Sequence, residues 1–252
     1  MNKVRHEYLG EVKGNNWVVG DIHGFVDTFK TLVQKIKLTT NDRLILLGDL
    51  VDRGPNVKGV FDYTNHLLKE GYDVRCIKGN HEDMMERAQH EEMENSRGLK
   101  RFMKRDVVKK NWFNLGGDST MQSFGARRMI DIDPSYYEFI AGMQHYLEDD
   151  HFFYVHGGFD FKGDQTFTDT QSMMWTRDFR VDKEKAKGKK VIHGHTPLDL
   201  EFIQDVIKQP ERDDFIALDN GVYLKMQGKG NLLAFETKSK QLLVQRALDI
   251  VP

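Results

Sequence analysis

The chain has 252 residues, with 37 Lys and Arg against 39 Asp and Glu and a formal net charge of −2. That length can bury a sizeable core, and the balanced charge excludes a general affinity for polyanions or anionic membranes, so neither nucleic acid nor a membrane is expected as a partner. Cys76 is the single cysteine, which excludes an internal disulfide and any thiolate metal site. No stretch approaches about 18 apolar residues and the segment from Met1 to Glu7 has no apolar targeting core, so a cytoplasmic protein is expected.

Four apolar runs each end in a cluster of metal-liking or acid-base residues. Trp17 to Val19 runs into Gly20-Asp21-Ile22-His23-Gly24, and Leu44 to Leu47 into Gly48-Asp49-Leu50-Val51-Asp52-Arg53-Gly54. Val74 to Ile77 runs into Gly79-Asn80-His81-Glu82, and Val191 to Ile192 into Gly194-His195-Thr196. Such runs read as buried strands, with Cys76 an inert thiol inside the third. After the first cluster Phe25, Phe29, Leu32, Val33 and Ile36 fall at helical spacing, and after the second Val57, Val60, Phe61, Leu67 and Leu68 do the same. The β-α-β-α-β order predicts a parallel sheet with crossover helices, with the clusters projecting from strand ends.

A charged helical insert is predicted at about residues 82–115. Six acids and Arg87 fill residues 82–94, whereas seven bases and Asp106 fill residues 97–110. Leu99, Phe102, Met103 and Val107 form a narrow apolar stripe in the basic part, as in an amphipathic helix. The favoured reading is a solvated face pairing with its acidic neighbour; a substrate-recognition patch is the second. Farther on, Phe152 to Val155, Val191 to Ile192, Phe215 to Leu218, Leu232 to Phe235 and Leu242 to Val244 predict strands, with a hairpin turn at Thr237-Lys238-Ser239-Lys240. These are expected to make a mostly antiparallel layer closing on the first sheet. With no repeat or linker, residues 1–252 are expected to form a single domain.

Taken singly, Asp21 or Asp49 is a turn former or helix cap, Asn80 a turn residue and His156 a satisfied core histidine. Together they need one common explanation, a two-metal hydrolase. Asp21 and His23, two residues apart, can grip one ion, and the two oxygens of Asp49 suit a bridge between ions. Asn80, His156 and His195 add an amide oxygen and two imidazoles. Such mixed N/O ligation suits two divalent ions, Mn²⁺ first, with Fe or Zn²⁺ as alternatives. Two such ions against Asp21, Asp49 and a bridging hydroxide leave about one positive charge, which Arg53 and Arg177 raise to about three, suited to a phosphate dianion. Because the metals supply the nucleophile, no serine or cysteine nucleophile is needed. His81 is the natural proton donor to the leaving oxygen, with Asp52 accepting its other N–H. His193, pointing to the opposite strand face, is expected to be structural. Asp219-Asn220-Gly221 reads as a turn, and Arg177 by itself as an exposed arginine.

The series GDIHG, GDLVDRG, GNHE, VHGG and GHTP, over roughly residues 17–221, resembles the phosphoprotein phosphatase family of metallophosphoesterases in its bacterial and bacteriophage-lambda form. The resemblance implies that Asp21, His23 and Asp49 hold one metal, and that Asp49, Asn80, His156 and His195 hold the other. It further implies His81 with Asp52 as the acid pair, and Arg53, Arg177 and Asn80 as the phosphate-binding groups. The implied fold is the α/β calcineurin-like one, two packed mixed β-sheets flanked by α-helices. The implied activity is metal-dependent phosphomonoester hydrolysis on phosphorylated proteins or peptides at serine and threonine, without a regulatory subunit. Symmetric dinucleoside tetraphosphate hydrolysis is the alternative. Trp112, Gly116-Gly117, Thr120, Ser123 and Gly125 are similar to a substrate-side segment of bacterial members. VHGG in place of the usual VHAG, and Asp-Asn-Gly in place of Asp-Thr-Gly, touch no implied ligand.

Overall fold

The computed structural model describes residues 3–97 and 106–250. Among the described residues, ten strands form two five-stranded sheets. The first sheet holds β2 (Asn16–Val19), β3 (Arg43–Leu46), β4 (Asp73–Cys76), β9 (Asn231–Glu236) and β10 (Leu242–Arg246), in the order β10-β9-β2-β3-β4. The second holds β1 (His6–Tyr8), β5 (Tyr146–Glu148), β6 (Phe152–Val155), β7 (Lys190–His193) and β8 (Phe215–Ala217), in the order β1-β5-β6-β7-β8.

Residue alternation sorts the side chains between layers. Val18, Ile45, Leu47, Ile77 and Phe235 of the first sheet meet Leu147, Tyr154, Ile192, Ile216 and Leu218 of the second, forming the core between the sheets. Their neighbours Trp17, Val19, Leu44 and Leu46 point the other way, into a core shared with helices. That core is filled by Phe29, Leu32 and Ile36 of α1 (Val26–Ile36) and by Val57, Val60 and Phe61 of α2 (Val57–Lys69). The Asn56 side chain starts α2 by accepting from Gly59 N at 2.8 Å. On the outer face of the second sheet, Tyr146, Phe153, Val155 and Val191 pack with Phe159 and Phe161. Burial on both faces is why β2 and β3 read as unbroken apolar runs.

The predicted crossover pattern forms: β2 pairs with β3 and β3 with β4, all parallel. The expected mostly antiparallel second layer does not. In the second sheet β5·β6 is antiparallel, but β1·β5, β6·β7 and β7·β8 are parallel. The reason lies between the strands. The β6–β7 connection carries α7 (Thr170–Trp175) and the β7–β8 connection carries α8 (Leu200–Lys208), so each returns the chain to the same end of the sheet. The β9–β10 hairpin forms as expected but extends the first sheet, where β9 pairs antiparallel with β2. Strands β1 and β5, only three residues each, were too short to show a period.

The charged region is helical where described, as α3 (Asn80–Arg97) and α4 (Val107–Trp112). A π-helical turn (Phe113–Gly117), α5 (Asp118–Ser123) and α6 (Pro134–Gly142) follow. Leu99, Lys100, Arg101, Phe102, Met103, Lys104 and Arg105 lie outside the described residues. Glu91 accepts from the main-chain groups Val107 N, Val108 N and Lys109 N at the start of α4, and Glu92 pairs with Lys109 Nζ at 2.5 Å. Among the described residues no helix is long and apolar enough to cross a membrane. Cys76 is half-buried in β4, and burial pushes its thiol up to about 12.

Candidate active site

The C-terminal ends of β2, β3, β4, β6, β7 and β8 deliver Asp21 and His23, Asp49, Asn80, His156, His195 and Asp219 respectively to one region. All seven are at least nine-tenths buried. The backbone there is unusual. Eight described non-glycine residues have positive φ, and five of them are His23, Asp49, Asp52, Arg53 and His195. Left-handed backbone at such residues costs energy, and its concentration at one site marks a place where side-chain direction outweighs local comfort.

Asp49 is the hinge of the geometry. Its Oδ2 lies 3.6 Å from His23 Nε2 and 3.8 Å from His81 Nε2, while Oδ1 lies 3.4 Å from His156 Nε2. His156 Nε2 is also 3.0 Å from Asn80 Oδ1. Two clusters of potential metal ligands result, His23-Asp49-His81 and Asp49-His156-His195, with the ligand atoms in each within 4.8 Å of one another. They share Asp49, as a bridging carboxylate requires.

The histidines are oriented for ligation. His23 Nδ1 faces Val51 O at 2.8 Å and His156 Nδ1 faces Leu47 O at 2.9 Å, so each carbonyl can accept the Nδ1 proton while Nε2 is turned inward. His195 Nε2 is buried without a hydrogen-bond partner. An orphaned imidazole nitrogen beside a carboxylate, an amide oxygen and two further imidazoles fits a pair of divalent ions. Asp21 belongs to neither cluster: both its oxygens accept from His195 N at 3.1 Å.

Charges reinforce one another across the bridge. Burial pushes Asp49 up, but the His156 and His81 imidazoles outweigh it and hold the carboxyl well below its usual range. Burial pulls His156 down, yet Asp49 raises it to about 10. Burial and the nearby Asp219 carboxylate raise Asp21 well above the usual range. Asp219 itself is pushed by burial to about 6, with its Oδ2 buried and unpartnered. Burial, then Arg53, depress His23. Burial and His156 lower His195 to about 3, and the charge of exposed Arg177 adds to that.

The two residues expected to act as an acid pair lie side by side. His81 Nδ1 lies 2.7 Å from Asp52 Oδ2. Burial works against a charged His81, but Asp49 and Asp52 outweigh it and raise its pKa. Asp52 is fully buried and held by two further donors, Trp112 Nε1 at 2.8 Å and Thr120 Oγ1 at 2.6 Å. Of the segment likened to a substrate-side element, Trp112 and Thr120 stand behind Asp52. Ser123 accepts from Lys58 N at 2.9 Å. Arg53 donates to His23 Nε2 at 3.1 Å and to His81 Nε2 at 2.9 Å.

Three contributors were hidden in the sequence. Glu82, named in the third cluster and in the acidic run but given no role, is buried and accepts from the N–H groups of Asp49, Leu50, Val51 and Gly79, fixing the loop that presents Asp49. Asp219, read as a turn residue, also sits beside Asp21. Tyr223 carried no signal, yet its ring touches both Arg53 and His23. His193 is structural as expected: it is buried, packs edge-on to Phe179 at 5.2 Å and joins neither cluster.

Two sheets whose strand ends converge on a shared carboxylate and a ring of imidazoles define a metallophosphoesterase. Residues 16–226 match the family described as calcineurin-like phosphoesterase, and the chain belongs to it. Over 69 residues it is 38% identical to a symmetrical bis(5'-nucleosyl)-tetraphosphatase of Hamiltonella defensa, covering 27% of this chain and 24% of that protein. Over 67 residues it is 40% identical to the corresponding protein of Salmonella paratyphi B, covering 26% and 23%. The chain thus spans about a quarter of the length of these curated relatives. Among solved structures, a protein serine/threonine phosphatase from Saccharomyces cerevisiae shares the fold with TM-score 0.61 at 13% identity, over 98% of this chain and 85% of that one. A provisionally assigned diadenosine tetraphosphatase does so with TM-score 0.55 at 16% identity, over 96% and 97%.

Proposed function

We propose that this hydrolase is a phosphomonoesterase acting on phosphoserine and phosphothreonine in proteins or peptides. The observation that carries this reading is the acid pair: His81 on Asp52 at 2.7 Å, with Asp52 held by Trp112 and Thr120. A serine or threonine alkoxide is a very poor leaving group and needs a proton as the P–O bond breaks. The nucleotide expelled from a dinucleoside polyphosphate leaves as a stable anion and needs none. A buried, four-residue apparatus for a charged imidazole is therefore best explained by an alkyl ester.

The remaining roles follow from position. Asp21, His23, Asp49, Asn80, His156 and His195 would hold two divalent ions, Mn²⁺ first, which when bound neutralise the phosphoryl group and activate a water for in-line attack. Arg53 and Arg177, with the Asn80 amide, would bind the phosphoryl oxygens, arginine's planar fork matching two of them at once. As Arg53 turns its donors to the phosphoryl group, His81 Nε2 is freed to take up a proton from solvent and, so charged, to pass it to the leaving oxygen, while Nδ1–H stays on Asp52.

The second reading, symmetric dinucleoside tetraphosphate hydrolysis, draws on the local identity to the bis(5'-nucleosyl)-tetraphosphatases. The discriminating measurement is kcat/KM for a phosphothreonine peptide and for Ap4A at one Mn²⁺ concentration. The peptide is expected to win; an advantage above about tenfold for Ap4A replaces the first reading with the second.

A further inference from the structure

Arg53 reaches the site from a loop whose backbone is bent unusually, with φ of 69° at Arg53 and 70° at Asp52. A long, flexible side chain on such a loop has much rotamer freedom to lose before it can act as a fixed clamp. Two features outside the loop remove that freedom. Arg53 N donates to Gly116 O at 3.1 Å. Gly116, in the π-helical turn with φ of 104°, lies so close that a Cβ there would come within 2.9 Å of Arg53 Cγ. The guanidinium itself lies over the ring of Tyr223, with Cζ 4.0 Å from the ring centroid. The same ring meets His23 edge-on at 5.2 Å.

Tyr223 is in turn held by what precedes it. In the turn Asp219-Asn220-Gly221, Asp219 Oδ1 accepts from Gly221 N at 2.7 Å. Asn220 Nδ2 donates to Leu198 O at 2.9 Å and Gly228 O at 2.8 Å, and Asn220 Oδ1 accepts from Asn231 Nδ2 at 2.7 Å. The turn is a bracket that brings an aromatic face onto the arginine. We propose that Tyr223 is a positioning residue: with the Gly116 carbonyl holding the Arg53 main chain, its ring face pre-orients the Arg53 guanidinium across His23 and His81 for phosphoryl binding. The inference rests on Arg53 as a phosphate clamp and is indifferent to whether the ester is a phosphopeptide or a dinucleotide.

The test uses the Mn²⁺-loaded full chain with p-nitrophenyl phosphate as substrate and inorganic phosphate as competitive inhibitor. Stacking of a cation on an aromatic face is worth enough, when partly desolvated, for about a tenfold change in phosphate affinity. Tyr223→Leu is expected to weaken phosphate inhibition, and phosphate binding by calorimetry, by about tenfold. KM should rise more than kcat falls, and bound metal should stay at the parent's stoichiometry. Tyr223→Phe, which keeps the ring, should remain within about threefold of the parent. In an Arg53→Lys background, Tyr223→Leu should add less than about twofold, since the stacked guanidinium is already gone. If Tyr223→Leu does not fold, Tyr223→Met takes its place, being unbranched and of similar volume without a π face. Parental phosphate affinity in these variants overturns the inference, as does Tyr223→Phe losing as much as Tyr223→Leu, or metal loss that accounts for the whole effect. Should Arg53→Lys itself leave phosphate affinity unchanged, the clamp reading of Arg53 falls, and this inference with it.

Discussion

Replacing Thr120 by valine tests the acid pair with little change of shape. Thr120 is fully buried; its hydroxyl donates to Asp52 Oδ1 at 2.6 Å and accepts from Asp52 N at 3.0 Å. Valine fills nearly the same volume but leaves both groups one partner short. A hydrogen bond to a charged group contributes about 1.5–3 kcal/mol, while Asp52 keeps His81 and Trp112. At about 1.4 kcal/mol per factor of ten, the ceiling on lost turnover is roughly 10- to 100-fold, and part of the loss will appear as lower stability instead. Burial already raises Asp52 against the pull of His81, Thr120 and Trp112, so removing one of these donors shifts the shared proton from His81 toward Asp52. Turnover of a phosphothreonine peptide is expected to fall about tenfold, and of p-nitrophenyl phosphate, whose leaving group scarcely needs a proton, less than about threefold. His81→Asn, which removes the donor itself, should show the same contrast at about 10²–10⁴ on the peptide. Equal losses on both substrates, for either variant, would refute the reasoning.

Asp49→Asn should reduce bound metal and turnover together, because its two oxygens face different imidazoles; metal analysis beside the rate checks this, and parental turnover removes Asp49 from the bridge. Chelator treatment should abolish phosphatase activity and Mn²⁺ restore it, with full activity in the metal-free protein contradicting the two-metal site. His145 gives a pH signature away from the site. It accepts from Arg5 N at 2.9 Å through Nδ1, which only the neutral ring can do, and burial together with Lys78 lowers its pKa. An unfolded histidine protonates near pH 6.5, so the stability from His145 is full above that pH and declines as pH falls toward the lowered folded value. Urea midpoints at pH 8 and pH 5 should therefore differ less for His145→Gln than for the parent; equal differences would exclude this histidine.

Much of this protein was legible before any coordinates. Strands buried on both faces write unbroken apolar runs, so β2 and β3 could be read directly, as could the clusters at the ends of β2, β3 and β4, and α1 and α2 showed their stripes. Metal-site residue types announce themselves because so few side chains suit the task. Longer-range relations were not legible. The parallel pairing of β6, β7 and β8 depended on α7 and α8, short helices whose role is to reverse the chain. The four N–H groups on Glu82, the Trp112 and Thr120 donors on Asp52 and the Tyr223 ring over Arg53 all join residues distant in sequence. Local sequence determines which segments are strands and helices and which side chains can bind metal or move protons, because propensity and chemistry belong to single residues and their neighbours. Only the tertiary structure decides which of those groups meet, since distance and direction between remote segments are set by the packing of the two sheets.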